Sequence, residues 1–141
     1  MEGYSKARVI GVYKLSINHE EAFAVILSCK EWGNLLLPIF IGPPEALAIH
    51  MALEGHKPKR PLTHDLIINI LDNLGVIVEK VTIDAVVDNL FVATIVLKDD
   101  NGKRWYIDAR PSDSIAIALR VNAPIYVANR LRDYAIPEEE F

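Results

Sequence analysis

Three short polar clusters carry most of the residues that could do chemistry, and each lies at the start of a predicted helix. They are Gly42–Glu45, Arg60–Asp65 and Asp108–Ser114. The first turn of a helix has free backbone N–H groups and the positive end of the helix dipole, so it attracts anions such as phosphate. If the three clusters meet in the fold, they predict a site suited to phosphodiester hydrolysis.

The side chains of these clusters suggest two roles. Carboxylate oxygens are ligands that Mg²⁺ and Mn²⁺ prefer, and a bound metal ion can activate water as a nucleophile. The predicted metal ligands are Glu45, Asp65 and Asp113, and the predicted catalytic residues are Asp65, His64, Asp108 and Asp113. Histidine suits acid–base work because its charge changes near neutral pH. The predicted phosphate-binding residues are Arg60, Arg110, Lys57 and Lys59.

The same residues also have a structural interpretation. Glu45 and Asp113 stand in first helix turns, where a carboxylate is stabilising without any ligand. His64 is also typical of a surface histidine, and His50, which stands among apolar residues, is predicted to be a core histidine. The chain has no P-loop, nucleophile elbow, HExxH or paired-cysteine motif. By composition and spacing, a catalytic site and a set of helix-start residues both stay open.

The elements that must position these clusters occur in a repeated order. Strands are predicted at 8–16, 22–30 and 35–41, followed by a helix from Pro43 to about Glu54. Strands at 76–88, 90–98 and 103–108 precede a second, buried helix that opens at Pro111. Between them, Thr63 caps a helix that ends at Gly75. Its predicted core-facing stripe is Leu66, Ile67, Ile70, Leu71 and Leu74, with Asp65, Asn69, Asp72 and Asn73 facing solvent. A short strand at 124–128, a brief helix at 129–135 and a frayed tail complete the prediction.

A gapless shift of 68 residues relates the two halves. It places Ile39 on Ile107, Pro43 on Pro111 and Glu45 on Asp113. We therefore predict an internal duplication, with half-repeats at about 8–75 and 76–135. The predicted class is α+β, with two β-β-β-α units and additional short helices sharing one core in a single domain over residues 1–141.

Composition limits the setting and the partners. The chain has 141 residues, a net charge of −4 and one cysteine, Cys29. The acidic balance disfavours tight non-specific binding to nucleic acid, while a local basic patch stays possible. A lone cysteine and the lack of an apolar run of about 20 residues predict a cytoplasmic protein without membrane spans. Abundant apolar residues predict a homo-oligomer, most simply a dimer.

Three separated motifs identify a resemblance. LPIFIGPPEALAI, RPLTHDL and DARPSDSIAIALR, followed by PIYV, resemble the bifunctional nuclease domain family over about Val9–Val127. The resemblance implies a duplicated α+β fold and nuclease activity on both DNA and RNA, so nucleic acid is the implied partner. The alternatives are a non-catalytic protein-interaction module and a small-molecule sensor that uses the same polar cluster.

Overall fold

The described chain contains eight strands and three α-helices, so its class is α+β, as predicted. The computed structural model describes residues 1–141, apart from the side chain of Ile17. Three short 3₁₀ turns lie at Lys30–Trp32, Asn129–Tyr134 and Glu138–Glu140. In chain order the other elements are β1 (Tyr4–Ile17), β2 (Glu20–Cys29), β3 (Leu35–Ile41), α1 (Pro43–Leu53), α2 (Thr63–Asn73), β4 (Val76–Val87), β5 (Leu90–Asp99), β6 (Arg104–Ala109), α3 (Pro111–Val121), β7 (Ile125–Ala128) and β8 (Ile136–Pro137).

All eight strands belong to one sheet with the order β6-β5-β4-β7-β1-β2-β3-β8. The strands β1, β2 and β3 form one antiparallel meander, and β4, β5 and β6 form another. Strand β7 joins them, because it pairs antiparallel with β1 and parallel with β4. Each meander leads directly into a helix that begins with proline, Pro43 in α1 and Pro111 in α3.

Turn chemistry sets the ends of the strands. The β1–β2 turn at Asn18-His19 and the β4–β5 turn at Asp88-Asn89 both have two successive residues with positive φ. Such turns match the right-handed twist of a hairpin, and Asn and Asp tolerate them best among residues other than glycine. In the β5–β6 turn, Asp99 Oδ1 accepts hydrogen bonds from the backbone N–H groups of Asn101 and Lys103.

The hydrophobic core lies between the sheet and the helices. Val25 and Leu27 from β2 and Val81 and Ile83 from β4 pack with the buried Ile115–Ala118 segment of α3. Helix α1 contributes Ile49, which is fully buried. The prediction of a buried α3 is confirmed. Because both meanders contribute to this core, the starts of α1 and α3 are held close together.

The apolar stripe of α2 does not face the core as predicted, whereas the predicted solvent exposure of Asp72 and Asn73 is confirmed. Its apolar stripe faces solvent, with Leu66 51%, Ile70 50% and Leu74 70% exposed, and no residue of the helix is buried. The opposite side faces α3, where Asp65 pairs with Arg120 and His64 pairs with Asp113. These ion pairs hold the first turn of α2 on α3. Ile68 and Leu71 are half-buried, while Asn69, Asp72 and Asn73 are exposed. The helix itself spans nearly the predicted residues, but Leu62 rather than Thr63 is its N-cap.

Three smaller expectations also change. Strand β1 begins at Tyr4 because residues 4–7 pair with β7. His50 is exposed, since Ala46 and Ile49 occupy the inner side of α1. The tail is attached to the fold, where the backbone N–H of Glu138 donates to the carbonyl of Asn34 at 2.9 Å. Among the described helices, none is long and apolar enough to span a membrane.

Candidate functional site

A cavity of about 400 Å³ lies where the first turns of α1 and α3 meet. Glu45 comes from α1, and Arg110 immediately precedes α3. These two are its charged residues, and most of its other lining is apolar. Two of the three predicted clusters therefore meet at one cavity. Its lining is Ile39, Phe40, Ile41, Gly42, Glu45, Asn89, Leu90, Phe91, Arg110, Pro111 and Ser112.

The first turns offer fewer backbone donors than their sequence position suggests. Pro43, Pro44 and Pro111 have no N–H group to donate. The N–H groups of Ala46 and Ser114 are already bonded to the carbonyls of Gly42 and Arg110. Any affinity of this cavity for an anion therefore depends mainly on the Arg110 side chain, which is 64% exposed.

Beside the cavity, Asp113 binds two cationic partners. Arg110 Nε donates to Asp113 Oδ2 at 3.0 Å, and Arg110 Nη2 donates to Asp113 Oδ1 at 3.3 Å. His64 Nε2 lies 2.9 Å from the same Oδ1. Partial burial raises the pKa of Asp113, but its hydrogen bonds and charge interactions with Arg110 and His64 outweigh that effect, so the pKa is lowered. Asp113 is thus ionised at neutral pH.

The ionised carboxylate fixes the tautomer of His64. A carboxylate can only accept hydrogen bonds, so His64 Nε2 must carry the proton in the contact with Asp113. The other ring nitrogen, Nδ1, has no protein partner among the described residues, and no buried side-chain nitrogen is left unpaired there. Nδ1 therefore reaches solvent. In the neutral ring it is a proton acceptor, oriented through Asp113 as catalytic histidines are oriented by carboxylates.

Arg110 is held by charges on both sides. The hydrogen bond and charge of Asp113 raise its pKa, and the charge of Glu45 adds to this effect. The guanidinium is therefore a permanent cation at the cavity. Because Asp113 occupies its Nε and one Nη2 contact, the remaining N–H groups can donate to an incoming anion.

Asp65 holds α2 in place. Its Oδ2 accepts from the backbone N–H of Leu62 at 3.0 Å, as an N-terminal cap, and its Oδ1 accepts from Arg120 Nε at 3.1 Å. Arg120 is only 10% exposed and also donates to the carbonyl of Ala116. The sequence does not indicate the role of Arg120, because Arg120 lies 55 residues from Asp65 in the chain. Its only local signal is a basic residue in the last turn of α3.

Of the nine predicted site residues only Glu45 and Arg110 line the cavity, and four others are exposed elsewhere on the surface. Asp108 is exposed on β6, opposite Thr94 of β5. Lys57, Lys59 and Arg60 are exposed in the loop between α1 and α2. None of the four has an ion pair within the described residues.

The predicted metal ligands do not form a common donor set. Within the described residues, no group of three or more histidine, cysteine, aspartate or glutamate side chains could hold a metal ion. Both oxygens of Asp65 and both of Asp113 accept hydrogen bonds from protein donors. Glu45 is left as the single cavity carboxylate. In this arrangement, the residues present do not fit a divalent cation, which needs several oxygen ligands.

The structure contains a second polar network that the sequence did not predict. Asp84 stands at an irregularity in β4 and accepts hydrogen bonds from Tyr4 at 2.8 Å and Thr94 at 2.7 Å. Arg130 Nε donates to the Asp84 carbonyl at 2.8 Å. Burial and the Asp84 hydrogen bond raise the pKa of Tyr4. This network joins β1, β4, β5 and the turn after β7, and it does not line the cavity.

Fold and site together define an α+β protein whose first helix turns enclose an arginine-bearing cavity with an oriented histidine beside it. The chain belongs to the bifunctional nuclease domain family, whose model matches residues 25–139. An uncharacterised protein of Mycobacterium tuberculosis (strain H37Rv) is 39% identical over 137 residues, which are 95% of this chain and 79% of that protein.

Plant relatives are more distant. "Bifunctional nuclease 2" of Arabidopsis thaliana is 28% identical over 112 residues, and "Bifunctional nuclease 1" of Oryza sativa subsp. japonica is 27% identical over 110 residues. These matches cover 78% and 77% of this chain, but only 34% and 33% of the two plant proteins.

Proposed function

We propose that this protein is a nuclease that hydrolyses phosphodiester bonds in DNA and RNA. The observation that carries the proposal is the Arg110–Asp113–His64 contact beside the cavity. Family membership and the names of the plant relatives support the same class of reaction. Because this chain corresponds to about a third of each plant protein, the activity named for the plant proteins is only proposed for this chain.

Each member of the contact has a role that its chemistry allows. Arg110 binds a phosphate oxygen and stabilises the charge that develops on the phosphoryl group. His64 accepts a proton through Nδ1, from water or from a ribose hydroxyl. Asp113 is a positioning residue, because it orients His64 and Arg110 and stabilises the imidazolium once the proton has moved.

The other predicted site residues have supporting roles in the proposed function. Lys57, Lys59 and Arg60 supply cations for the nucleic-acid backbone, and Asp108 is a further acid–base candidate on β6. Glu45 faces Arg110 and limits how strongly the cavity holds an anion. A local basic loop on a chain of net charge −4 implies binding that weakens steeply with added salt.

Metal assistance by Mg²⁺ or Mn²⁺ stays a proposal that the assay has to decide. The carboxylates Asp65 and Asp113 would first have to exchange their protein donors for the ion. We therefore assign the reaction steps to side chains, and we include chelator and added-metal arms in the assay.

The test uses rigorously purified protein on single-stranded DNA and RNA, with EDTA, with Mg²⁺ and with Mn²⁺. The proposal expects cleavage by the wild type and strong loss in Arg110→Ala and His64→Ala, with the fold retained by circular dichroism. Absence of cleavage by the wild type in all three conditions would refute it. Unchanged cleavage in both variants would remove these residues from the reaction.

The cavity lining also favours a second candidate, a small-molecule sensor. Apolar side chains such as Phe40, Leu90 and Phe91 surround one arginine and one glutamate, which suits an amphipathic anion more than a polar backbone. Saturable binding of such a ligand without any nuclease activity would favour this function. A non-catalytic protein-interaction module is the third possibility, and it is favoured by the exposed apolar side of α2.

Three organisational features belong to the same proposal. The two β-β-β-α units arose by duplication; the matched proline starts of α1 and α3 and the shift of 68 residues support it. The protein acts in the cytoplasm, where its lone buried Cys29 needs no partner. It forms a homodimer, supported by the apolar residues that the single chain leaves exposed.

A further inference from the structure

The outer side of α2 is an apolar surface that this chain does not cover. It consists of Leu62, Leu66, Ile67, Ile70 and Leu74, which are between 37% and 70% exposed. Side chains spaced by three, four and seven residues lie on one side of a helix, so the members within α2 form one continuous stripe. Monomeric proteins seldom expose such a stripe without a function.

The outward orientation of this stripe is fixed from the other side of the helix. Arg120 pairs with Asp65 at 3.1 Å, and Asp113 pairs with His64 at 2.9 Å. Arg120 and His64 are only 10% and 13% exposed. Turning the apolar stripe inward would break both contacts, and the mostly buried Arg120 would lose its carboxylate partner. Rotation of α2 is therefore not a route by which the single chain can bury the stripe.

The charge of the surface indicates what covers it. Between the five apolar residues stand Thr63, Asn69 and Asn73, whereas Asp65 and Asp72 lie on the other side of the helix. In a two-fold interface the same surface meets itself, and the centres of interfaces are depleted of charged residues, so an uncharged surface fits a second copy. A nucleic acid would need cations, and α2 itself has no lysine or arginine; the basic residues nearest in the chain, Lys57, Lys59 and Arg60, lie in the loop before it.

The size of the surface fits the same occupant. The five exposed fractions correspond to roughly 450 Å² of apolar area, as large as the largest apolar patch of a typical monomer. A stable interface needs about 800 Å² on each partner, so the stripe supplies the apolar centre and its flanking polar residues supply the rim.

We propose that α2 pairs with α2 of a second copy of this chain around a two-fold axis, and that this pairing secures the candidate site. Helix α2 has no buried residue in the single chain, yet its first turn carries His64 and Asp65. Burying its outer side anchors the helix from both sides, which keeps His64 on Asp113. The consequence for activity rests on the proposed nuclease function, whereas the pairing itself does not.

Light scattering after size exclusion, without nucleic acid, tests the pairing. The wild type is expected at twice the 15.8 kDa chain mass. Leu66→Glu and Ile70→Glu keep a good helix former and are expected at the single-chain mass with unchanged circular dichroism. Tyr106→Glu is the matched control, because Tyr106 is 69% exposed on β6, away from α2. It is expected to remain a dimer.

Disulfide trapping gives a second measurement. In Ile70→Cys, mild oxidation is expected to give a covalent dimer, whereas wild type stays uncrosslinked because Cys29 is buried and burial raises the pKa of its thiol to about 11. A monomeric wild type, a dimer that survives both glutamate variants, or loss of the dimer in Tyr106→Glu would overturn the proposal. A dimer without nuclease activity would remove only the proposed function, and an active monomeric wild type would remove only the interface.

Discussion

Replacing Asp113 with asparagine separates the catalytic from the structural interpretation of the site. Its Oδ2 accepts from Arg110, and its Oδ1 accepts from His64 and Arg110. Asparagine has the same shape but turns an NH₂ group toward one of these donors, so at least one bond is lost. The lost charge also removes the favourable contact with the start of α3, worth about 0.3–1 kcal/mol.

The cost in stability stays small because the pair is partly solvated. Asp113 is 33% exposed and Arg110 is 64% exposed, so the ion pair contributes only about 0.2–1 kcal/mol. With the helix-start term, Asp113→Asn should lower the free energy of unfolding by about 0.5–2 kcal/mol. The proposed function predicts a larger effect on catalysis, on the order of 10²-fold in kcat/KM, since His64 loses its orienting carboxylate.

Urea unfolding and cleavage of single-stranded RNA measure the two effects on the same preparations. Asp72→Asn is the matched control, because Asp72 is an exposed carboxylate near the end of α2 without an ion pair among the described residues. It should change neither quantity. If Asp113→Asn retains wild-type kcat/KM while losing about 0.5–2 kcal/mol of stability, Asp113 is a helix-start residue only and the reasoning fails.

Three further predictions follow from the same contacts. Because the pKa of Asp113 is lowered from 3.8, its contribution to stability is complete above that pH and is lost as the pH falls below it; acid unfolding of Asp113→Asn should lack this component. Arg120→Met should lower the free energy of unfolding in urea by about 1–3 kcal/mol, because it leaves Asp65 without its cationic partner. A loss under about 0.5 kcal/mol would contradict a structural role for the Arg120–Asp65 ion pair. Gly42→Ala should shift the Glu45 side chain, since a Cβ there collides with Glu45 Oε1; unchanged activity and stability would show that Glu45 moves freely.

Local chemistry made the elements of this fold predictable. Proline at the first helical position fixed the starts of α1 and α3, and polar turn residues at Asp88-Asn89 marked a hairpin whose φ values are positive. These signals depend on residues within a few positions of one another. The position of β7 between β1 and β4 depends on pairings far apart in the chain, and no local pattern indicates it.

The candidate site was only partly predictable for the same reason. Sequence indicated Arg110, Asp113 and His64 as candidates, because polar residues at helix starts are locally visible. It did not indicate that Asp65 would bind Arg120, which comes from the far end of another helix. That contact assigns Asp65 to holding α2, and it removes one of the carboxylates on which the predicted metal site depended.

The wrong orientation of α2 has a physical explanation that links the site to the surface. Periodicity identifies which side of a helix is apolar, but it does not show whether that side packs against the core or against a partner chain. Here His64 and Asp65 lie on the opposite side from Ile70, and each contacts a charged residue of α3. These two contacts hold the first turn of α2 on α3 and leave the stripe on the outside, where a second chain can cover it. The His64–Asp113 and Asp65–Arg120 contacts therefore determine which side of α2 is available for self-association. Substitutions at Asp113 or Arg120 should accordingly weaken self-association, although neither residue lies on the outer surface of α2.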